Sequence, residues 1–464
     1  MSKKYKEGDI EKFKTLNISE EFVKNIDSMG FSQMTKIQSL CIKPILEKND
    51  VVAQAKTGSG KTAAFSIPII KNLDVKDFNI QALILVPTRE LANQVALEIR
   101  KLARHIHNVK VLTLIGGVPY KAQVESLKFG AHIAVGTPGR VLQHIFETKI
   151  EFPKLSFLVL DEADRMLDMG FHEDIMKIID SLSKTRQTLL FSATYDDGVK
   201  SLCEAITKDP LYIKDETSHD EKTINQKFYE VLDTQKTNLI IPLITSNEAD
   251  STLIFCNTKV ECDELSNSLY DFGLDVLVLH SDMDQKQRDE IIILFSNKSY
   301  PILIATDIAS RGLDIDDISL VINYDMARDL HTHTHRIGRT ARAGKKGLAV
   351  SLLTSKDENK KEFLEEKFNL NIEDISNINN DKVYDIDAKY RTIYLNSGKK
   401  NKLRAGDILG ALTAGIKLNK DDIGKIDILP FSSYVAVKKE VLDKALIGLN
   451  KNKVKGKFLK AYEK

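Results

Sequence analysis

The chain has 464 residues, with 42% hydrophobic and 29% charged residues and a net charge of +1, enough for about three globular domains and unlike a fibrous or disordered composition. No apolar run approaches the ~18 residues of a membrane helix, and the N-terminus MSKKYKEGD lacks the apolar stretch of a secretory signal. Cys41, Cys203, Cys256 and Cys262 show no C-x-x-C spacing, which fits a reducing cytoplasm and core packing rather than a disulfide framework or a zinc site.

In chain order, residues 10–48 show helical spacing in Leu16, Ile18, Phe22, Val23 and Ile26, broken at Gly30. Apolar runs follow at Val51–Gln54, Ala82–Val86, Lys110–Leu114, His132–Val135, Phe157–Leu160 and Thr188–Phe191, separated by helical patterns such as Glu90–His105 and Phe171–Ser181. The alternation predicts an open, mostly parallel α/β sheet over 1–208, with functional groups beyond the carboxyl ends of the strands. Residues 209–221 are polar and predict a linker. A second series, Thr252–Phe255, Asp275–Leu279, Ile302–Ala305, Leu320–Asn323 and Leu348–Leu353, predicts another α/β domain over 222–370, and the Asn-rich stretch 371–385 a second linker. The last segment, 386–464, reads as a small α+β domain of order βαββαβ: strand Tyr390–Leu395, helix Leu403–Thr413, strands Gly424–Leu429 and Ser432–Val437, helix Val441–Leu449, strand Val454–Leu459. Charge is uneven as well. Residues 381–464 carry 19 Lys+Arg and 10 Asp+Glu, a surplus of +9 against −8 elsewhere, so a polyanion is the expected partner of the tail.

The chemistry begins at Ala55-Lys56-Thr57-Gly58-Ser59-Gly60-Lys61-Thr62, between the strand Val51–Gln54 and an apolar helix. Strand, Gly-rich loop, Lys-Thr and helix form a phosphate-binding loop, in which backbone N–H groups and the helix N-terminus hold phosphate oxygens. Lys61 supplies a point charge to the β/γ-phosphates and Thr62 a hydroxyl to Mg²⁺. Ala55 stands where the simple pattern has its first glycine. Asp161-Glu162-Ala163-Asp164 follows the apolar strand Phe157–Leu160. Carboxylates directly after a buried strand suit an NTPase: Asp161 to hold Mg²⁺, Glu162 to position or deprotonate the attacking water. A nucleoside triphosphate and Mg²⁺ are therefore the expected ligand and cofactor.

Phosphate loop, Asp-Glu-Ala-Asp, Ser192-Ala193-Thr194 and a later Arg-rich segment resemble, in order, the motifs of the DEAD-box RNA helicases, over roughly residues 10–360. The resemblance implies two RecA-like domains that close on ATP and single-stranded RNA, with local strand separation. It implies adenine recognition by Phe13 and by Gln38 in Gly30–Gln38, where Met34 replaces the usual proline. It assigns RNA backbone contacts to Thr88 and Arg89, Gly117, Thr137 and Arg140, Gln285 and Arg288, and Thr306, with Arg311 beside it. Asp164, Ser192, Thr194 and His335 would couple the nucleotide to domain closure, and Asp314 would meet the ribose. In His335-Arg336-Ile337-Gly338-Arg339-Thr340-Ala341-Arg342, Arg339 and Arg342 would share a helix face as arginine fingers, and such fingers accelerate hydrolysis by about 10³–10⁵-fold.

The tail resembles an RNA-recognition-motif fold, with Tyr394 and Tyr434 as candidate stacking residues, but lacks the K/R-G-F/Y-G/A-F-V-x-F/Y string. Thr392–Asn396, Gly398–Arg404, Asp422–Gly424 and Val454–Lys457 instead resemble the tail of DbpA-type DEAD-box proteins. That resemblance implies binding to a hairpin of large-subunit ribosomal RNA and work on pre-ribosomal particles. Lys399, Lys400, Lys402, Arg404, Lys455 and Lys457 are the expected phosphate contacts. The sequence thus reads as a cytoplasmic, monomeric, ATP-dependent RNA helicase with no membrane partner. An RNA-binding clamp or chaperone without productive turnover, and a DNA helicase, are the alternatives.

Overall fold

The computed structural model describes residues 12–55, 58–215, 224–307, 318–340, 347–368, 370–378 and 384–464. The chain forms two compact units that divide between residues 217 and 218.

The first unit is built on a parallel sheet. Its strands are β1 (Val51–Gln54), β2 (Ala82–Leu85), β3 (Val111–Leu114), β4 (Ile133–Gly136), β5 (Phe157–Asp161), β6 (Gln187–Ser192) and β7 (Leu211–Lys214), in the order β3-β4-β2-β5-β6-β1-β7. Apolar runs form these strands because helices bury both faces. Val51, Ala53, Ile84 and Val159 enter one core, while Val52, Leu83, Leu85, Leu158 and Leu160 enter the other. Helix starts are fixed by side-chain caps: Ser19 accepts from Phe22 N–H, Thr88 from Leu91 N–H, and Thr35 with Gln38 forms a capping box. β7 corrects the expected linker at 209–221. Its residues pair in register with β1, so the first sheet runs on to Lys214.

The second unit holds another parallel sheet, of β8 (Ile224–Glu230), β9 (Thr252–Cys256), β10 (Val276–Leu279), β11 (Ile302–Thr306), β12 (Leu320–Asn323), β13 (Gly347–Leu353) and β14 (Ile372–Glu373). Its order, β10-β11-β9-β12-β13-β8-β14, repeats that of the first sheet strand for strand. β14 lies inside the expected second linker and pairs with β8.

The same unit carries a four-stranded antiparallel sheet of β15 (Tyr390–Leu395), β16 (Ile423–Ile428), β17 (Ser433–Lys438) and β18 (Ala461–Glu463), in the order β16-β17-β15-β18. The βαββαβ order is as expected, but the last strand falls later than Val454–Leu459. Val454 and Lys457 instead close a tight turn through two backbone hydrogen bonds of 2.8 and 3.1 Å, with Lys455 and Gly456 at positive φ. Ile393, Leu395, Val435 and Val437 face the helices. On the opposite face, the Thr392 hydroxyl is 2.7 Å from both Asn297 Nδ2 and Ser299 Oγ, and Lys464 meets Glu290 at 2.5 Å. The sheet therefore packs on the second parallel-sheet domain around the helix Gln285–Ser296.

Candidate nucleotide and nucleic-acid sites

The phosphate loop leaves the carboxyl end of β1. Gly58 (φ 83°) and Gly60 (φ 93°) take left-handed conformations, and a Cβ on Gly60 would meet Gln38 Nε2 at 2.5 Å. Lys56 and Thr57 lie outside the described residues. The helix Lys61–Lys71 starts directly behind the loop, so its first N–H groups point toward it. Lys61 is buried and its ammonium donates to Ala55 O at 3.0 Å, while Ala55 N–H donates to Ser192 O at 2.9 Å. Gln38 accepts from Thr35 N–H and donates to Gly60 O at 3.1 Å, which ties the expected adenine-recognition segment to the phosphate loop. Phe13 is only 2% exposed and packs in the core. A ring laid open for base stacking is thus not what the structure presents, because the apolar side chain gains more from burial among helices.

At the end of β5, Asp161 is 2% exposed. Burial pushes its carboxyl up to about 6, against the pull of Lys61, with Glu162 and Asp164 adding to the rise. Glu162 sits in a left-handed conformation (φ 54°), and its carboxylate meets Arg165 at 2.8 Å with both side chains buried. Asp164 joins two strand ends. Its Oδ2 accepts from Ala193 N–H and Thr194 N–H at 2.9 Å each and from the Thr194 hydroxyl at 3.2 Å, while its N–H donates to Ser192 Oγ. Nucleotide loop, carboxylates and Ser192-Ala193-Thr194 are therefore one bonded cluster on adjacent strands. Thr62 and Asp161 offer a hydroxyl and a carboxylate whose ionised form burial disfavours, a donor set a hard cation suits.

The expected RNA-contact residues of the first unit stand beyond strand ends, Thr88, Gly117 and Thr137 outside helices and Arg89 and Arg140 in the first turns of the helices that follow. The Thr88 hydroxyl caps the helix Arg89–Leu102, and Thr137 precedes the helix Pro138–Thr148 without a side-chain cap. Gly116, beside Gly117, leaves room for the Arg89 guanidinium: a Cβ there would meet Nη2 at 2.8 Å. The Arg140 guanidinium lies 5.5 Å from the Tyr120 ring centroid.

In the second unit, Gln285 begins the helix Gln285–Ser296, donates to Asp289 at 2.9 Å and stands one turn from Arg288. Thr306 ends β11. The helix Leu330–Ile337 carries His335 and leads to Arg339, which is 5% exposed. Its Arg336 is 1% exposed and makes two hydrogen bonds to Asp307, of 2.7 and 2.8 Å, plus one of 2.9 Å to Asn257 Oδ1. Arg311, Asp314 and Arg342 lie outside the described residues.

The tail separates into a covered face and a basic end. Tyr434 is 1% exposed, and Tyr394 packs against Tyr462 with ring centroids 4.6 Å apart. The two tyrosines therefore pack rather than offer stacking platforms, because the sheet face is occupied by the second domain. Lys399, Lys400, Lys402, Arg404, Lys455 and Lys457 are exposed. The Lys455 ammonium reaches Lys402 O and pairs with Asp407 at 2.9 Å, so the two basic stretches meet and Lys455 is already engaged. Two aromatic residues that sequence reading passed over stand in this region. Phe431 is 71% and Phe458 is 65% exposed. The turn that bears Phe431 abuts Gly398, and Lys453 lies over the Phe458 ring at 5.5 Å. The strings Pro430-Phe431-Ser432 and Lys457-Phe458 were the available signals. Arg165 was likewise passed over, although its i+3 spacing from Glu162 could have found it.

Comparison with known proteins gives three family matches: DEAD/DEAH box helicase over residues 35–202, helicase conserved C-terminal domain over 235–344, and DbpA RNA binding domain over 392–462. The chain is 42% identical over 446 residues to ATP-dependent RNA helicase DbpA of Escherichia coli (strain K12), covering 96% of this chain and 98% of that protein. It is 35% identical to the protein of the same name in Bacillus subtilis (strain 168), covering 97% and 98%. Among solved structures, Saccharomyces cerevisiae Dbp5 bound to RNA and ADP BeF3 superimposes with a TM-score of 0.71 at 28% identity, over 78% of this chain and 95% of that one.

Proposed function

Since this chain belongs to the DEAD-box ATP-dependent RNA helicases of DbpA type, we propose that its tail directs the helicase to a hairpin of large-subunit ribosomal RNA, for remodelling during assembly of that subunit in the cytoplasm. The observation that carries this reading is the exposed basic end of the tail, with Phe431 and Phe458 beside the lysines. Lysines and Arg404 would hold phosphates, and exposed rings would stack on unpaired bases of a loop. Contacts of this kind fit structured RNA with a single-stranded loop.

ATP would bind with its phosphates on the loop Gly58–Thr62 and Lys61 as counter-charge. Lys61 would leave the Ala55 carbonyl for a phosphate oxygen. Thr62 and Asp161 are the residues that would hold Mg²⁺, whose charge would offset that of the phosphates. Glu162, aimed by Arg165, would take up the water proton. Asp164 would transmit a change at Glu162 to Thr194 through its hydrogen bonds. Arg339 and Arg342 would supply positive charge to the transition state when the two helicase domains close, with RNA on Thr88, Arg89, Thr137, Arg140, Gln285, Arg288 and Thr306.

Two measurements test the reading. RNA-stimulated ATP hydrolysis should be at least tenfold greater with a hairpin fragment of large-subunit ribosomal RNA than with generic single-stranded RNA at equal salt. Equal stimulation would sink the ribosomal assignment while leaving the helicase core intact. Glu162→Gln should cut the rate by about 10²–10⁴-fold, and an unchanged rate would remove Glu162 from the chemistry.

A further inference from the structure

The two parallel sheets share one strand order, with β8 in the place of β1, β9 of β2 and β12 of β5. The correspondence extends to side chains. The helix after β1 begins Lys61-Thr62, and the helix after β8, Lys236–Ser246, begins Lys236-Thr237. β5 pairs with β2 and β12 with β9 from their first residues onward, so Tyr324 and Asp325 come after Asn323 where Asp161 and Glu162 come after Leu160. No glycine lies between β8 and Lys236, so nothing there shapes a phosphate cradle.

The second set of residues is bonded to itself instead. Lys236 Nζ lies 2.9 Å from Asp325 Oδ1 and 3.5 Å from Asp233, with the Lys236 and Asp325 side chains 8% and 10% exposed. The Thr237 hydroxyl is 2.9 Å from the Tyr324 phenol oxygen, a contact that stands where Thr62 and Asp161 would hold a cation in the first sheet. Burial works to lower the Lys236 pKa, but the Asp325 carboxylate overrides it, and the ammonium stays charged.

This ion pair leads to the helicase chemistry. The other Asp325 oxygen accepts from Asn257 N–H at 3.1 Å, and Asn257 Nδ2 donates to Met326 O, which fixes the loop after β9. Asn257 Oδ1 and the Asp325 carbonyl then both accept from the buried Arg336 guanidinium. Arg336 lies three residues before Arg339, and its carbonyl accepts from Arg339 N–H at 3.2 Å. We propose that Lys236 is a positioning residue for ATP hydrolysis: its ammonium fixes Asp325, which with Asn257 locks Arg336 and so aims Arg339. The proposal rests on the reading of Arg339 as an arginine finger. A residue that acts only through Arg339 changes the transition state and leaves nucleotide binding by the first domain alone.

The test compares full-length Lys236→Met, Arg339→Ala and the double variant at saturating RNA. Lys236→Met should lower kcat at least tenfold, with ADP affinity and KM for ATP within twofold of the parent. In the Arg339→Ala background it should add nothing, because the relay has lost its end point. Lys236→Arg, which keeps the charge, should retain at least half of the parent kcat. A kcat within twofold of the parent, or full multiplicative effects in the double variant, overturns the relay. If Lys236→Met unfolds below the assay temperature, Lys236→Gln enters the same comparison under the same limits. An Arg339→Ala protein with unchanged kcat overturns the finger reading and the relay together, whereas a slow Arg339→Ala beside a normal Lys236→Met overturns the relay alone.

Discussion

With Asp161 proposed as a Mg²⁺ ligand, its burial sets stability against catalysis in one side chain. Its carboxyl titrates at about 6, with an ordinary value of 3.8. Folding therefore shifts the carboxyl towards its neutral form, while the Mg²⁺ site proposed above would need the charged one. Above pH 6 the charge costs stability, by roughly 1–3 kcal/mol. As the pH falls from 6 towards 4, the folded protein takes up the proton first and that cost disappears. Asp161→Asn should accordingly abolish hydrolysis yet raise the melting temperature at pH 7.5, with the gain shrinking at pH 5, as thermal unfolding at both values would show. Parent hydrolysis should fall below pH 6 and recover in part with added Mg²⁺. The placing of Asp161, Glu162 and Asp164 together beside the phosphate loop was legible in the sequence because the three are local to one strand end. The partner of Lys236 was not, since Asp325 lies 89 residues away and nothing in either neighbourhood announces the pair.

Among elements, the phosphate loop is constrained at its two described glycines. Gly58 and Gly60 both need positive φ, but only at Gly60 would a side chain also collide, with Gln38. Gly60→Ala should weaken nucleotide binding more than Gly58→Ala, by at least tenfold in a fluorescent-nucleotide titration. Equal losses would mean that φ alone decides. Strands buried on both faces were legible as unbroken apolar runs, as in Ala82–Leu85, where all four residues are buried. Edge strands were harder to see. Leu211–Lys214 has one buried residue in four, and Ile372–Glu373 is only two residues long. The tail's last strand was displaced because Val454, Phe458 and Leu459 suit a strand, but the chain turns back on itself between Val454 and Lys457. Phe13 shows the same limit: spacing put it near Gln38, but only packing reveals that its ring is enclosed.

At the scale of the whole molecule, charge and architecture make separate demands. The basic end of the tail should give RNA binding a steep salt dependence. Replacing Lys399, Lys400, Lys402 and Arg404 by alanine together should flatten the plot of log affinity against log salt by about 3, at 0.7–0.9 per phosphate contact. An unchanged slope would move the RNA elsewhere on the tail.

The repeated strand order has a consequence for heat. In the second sheet, the lysine that opens the first helix already has a carboxylate partner inside its own domain, Asp325 at 2.9 Å. In the first sheet, Lys61 donates to a peptide carbonyl, and Asp161 bears a charge that its surroundings resist. The first domain therefore has stability to gain at this position from a phosphate and a cation, whereas the matching lysine of the second already has its counter-charge. Calorimetric scans of the RNA-free protein should resolve unequal transitions. With saturating Mg²⁺ and nucleotide, the transition of the first domain should move up by several degrees and that of the second should stay in place. Two sheets with one plan would then part company on the temperature axis.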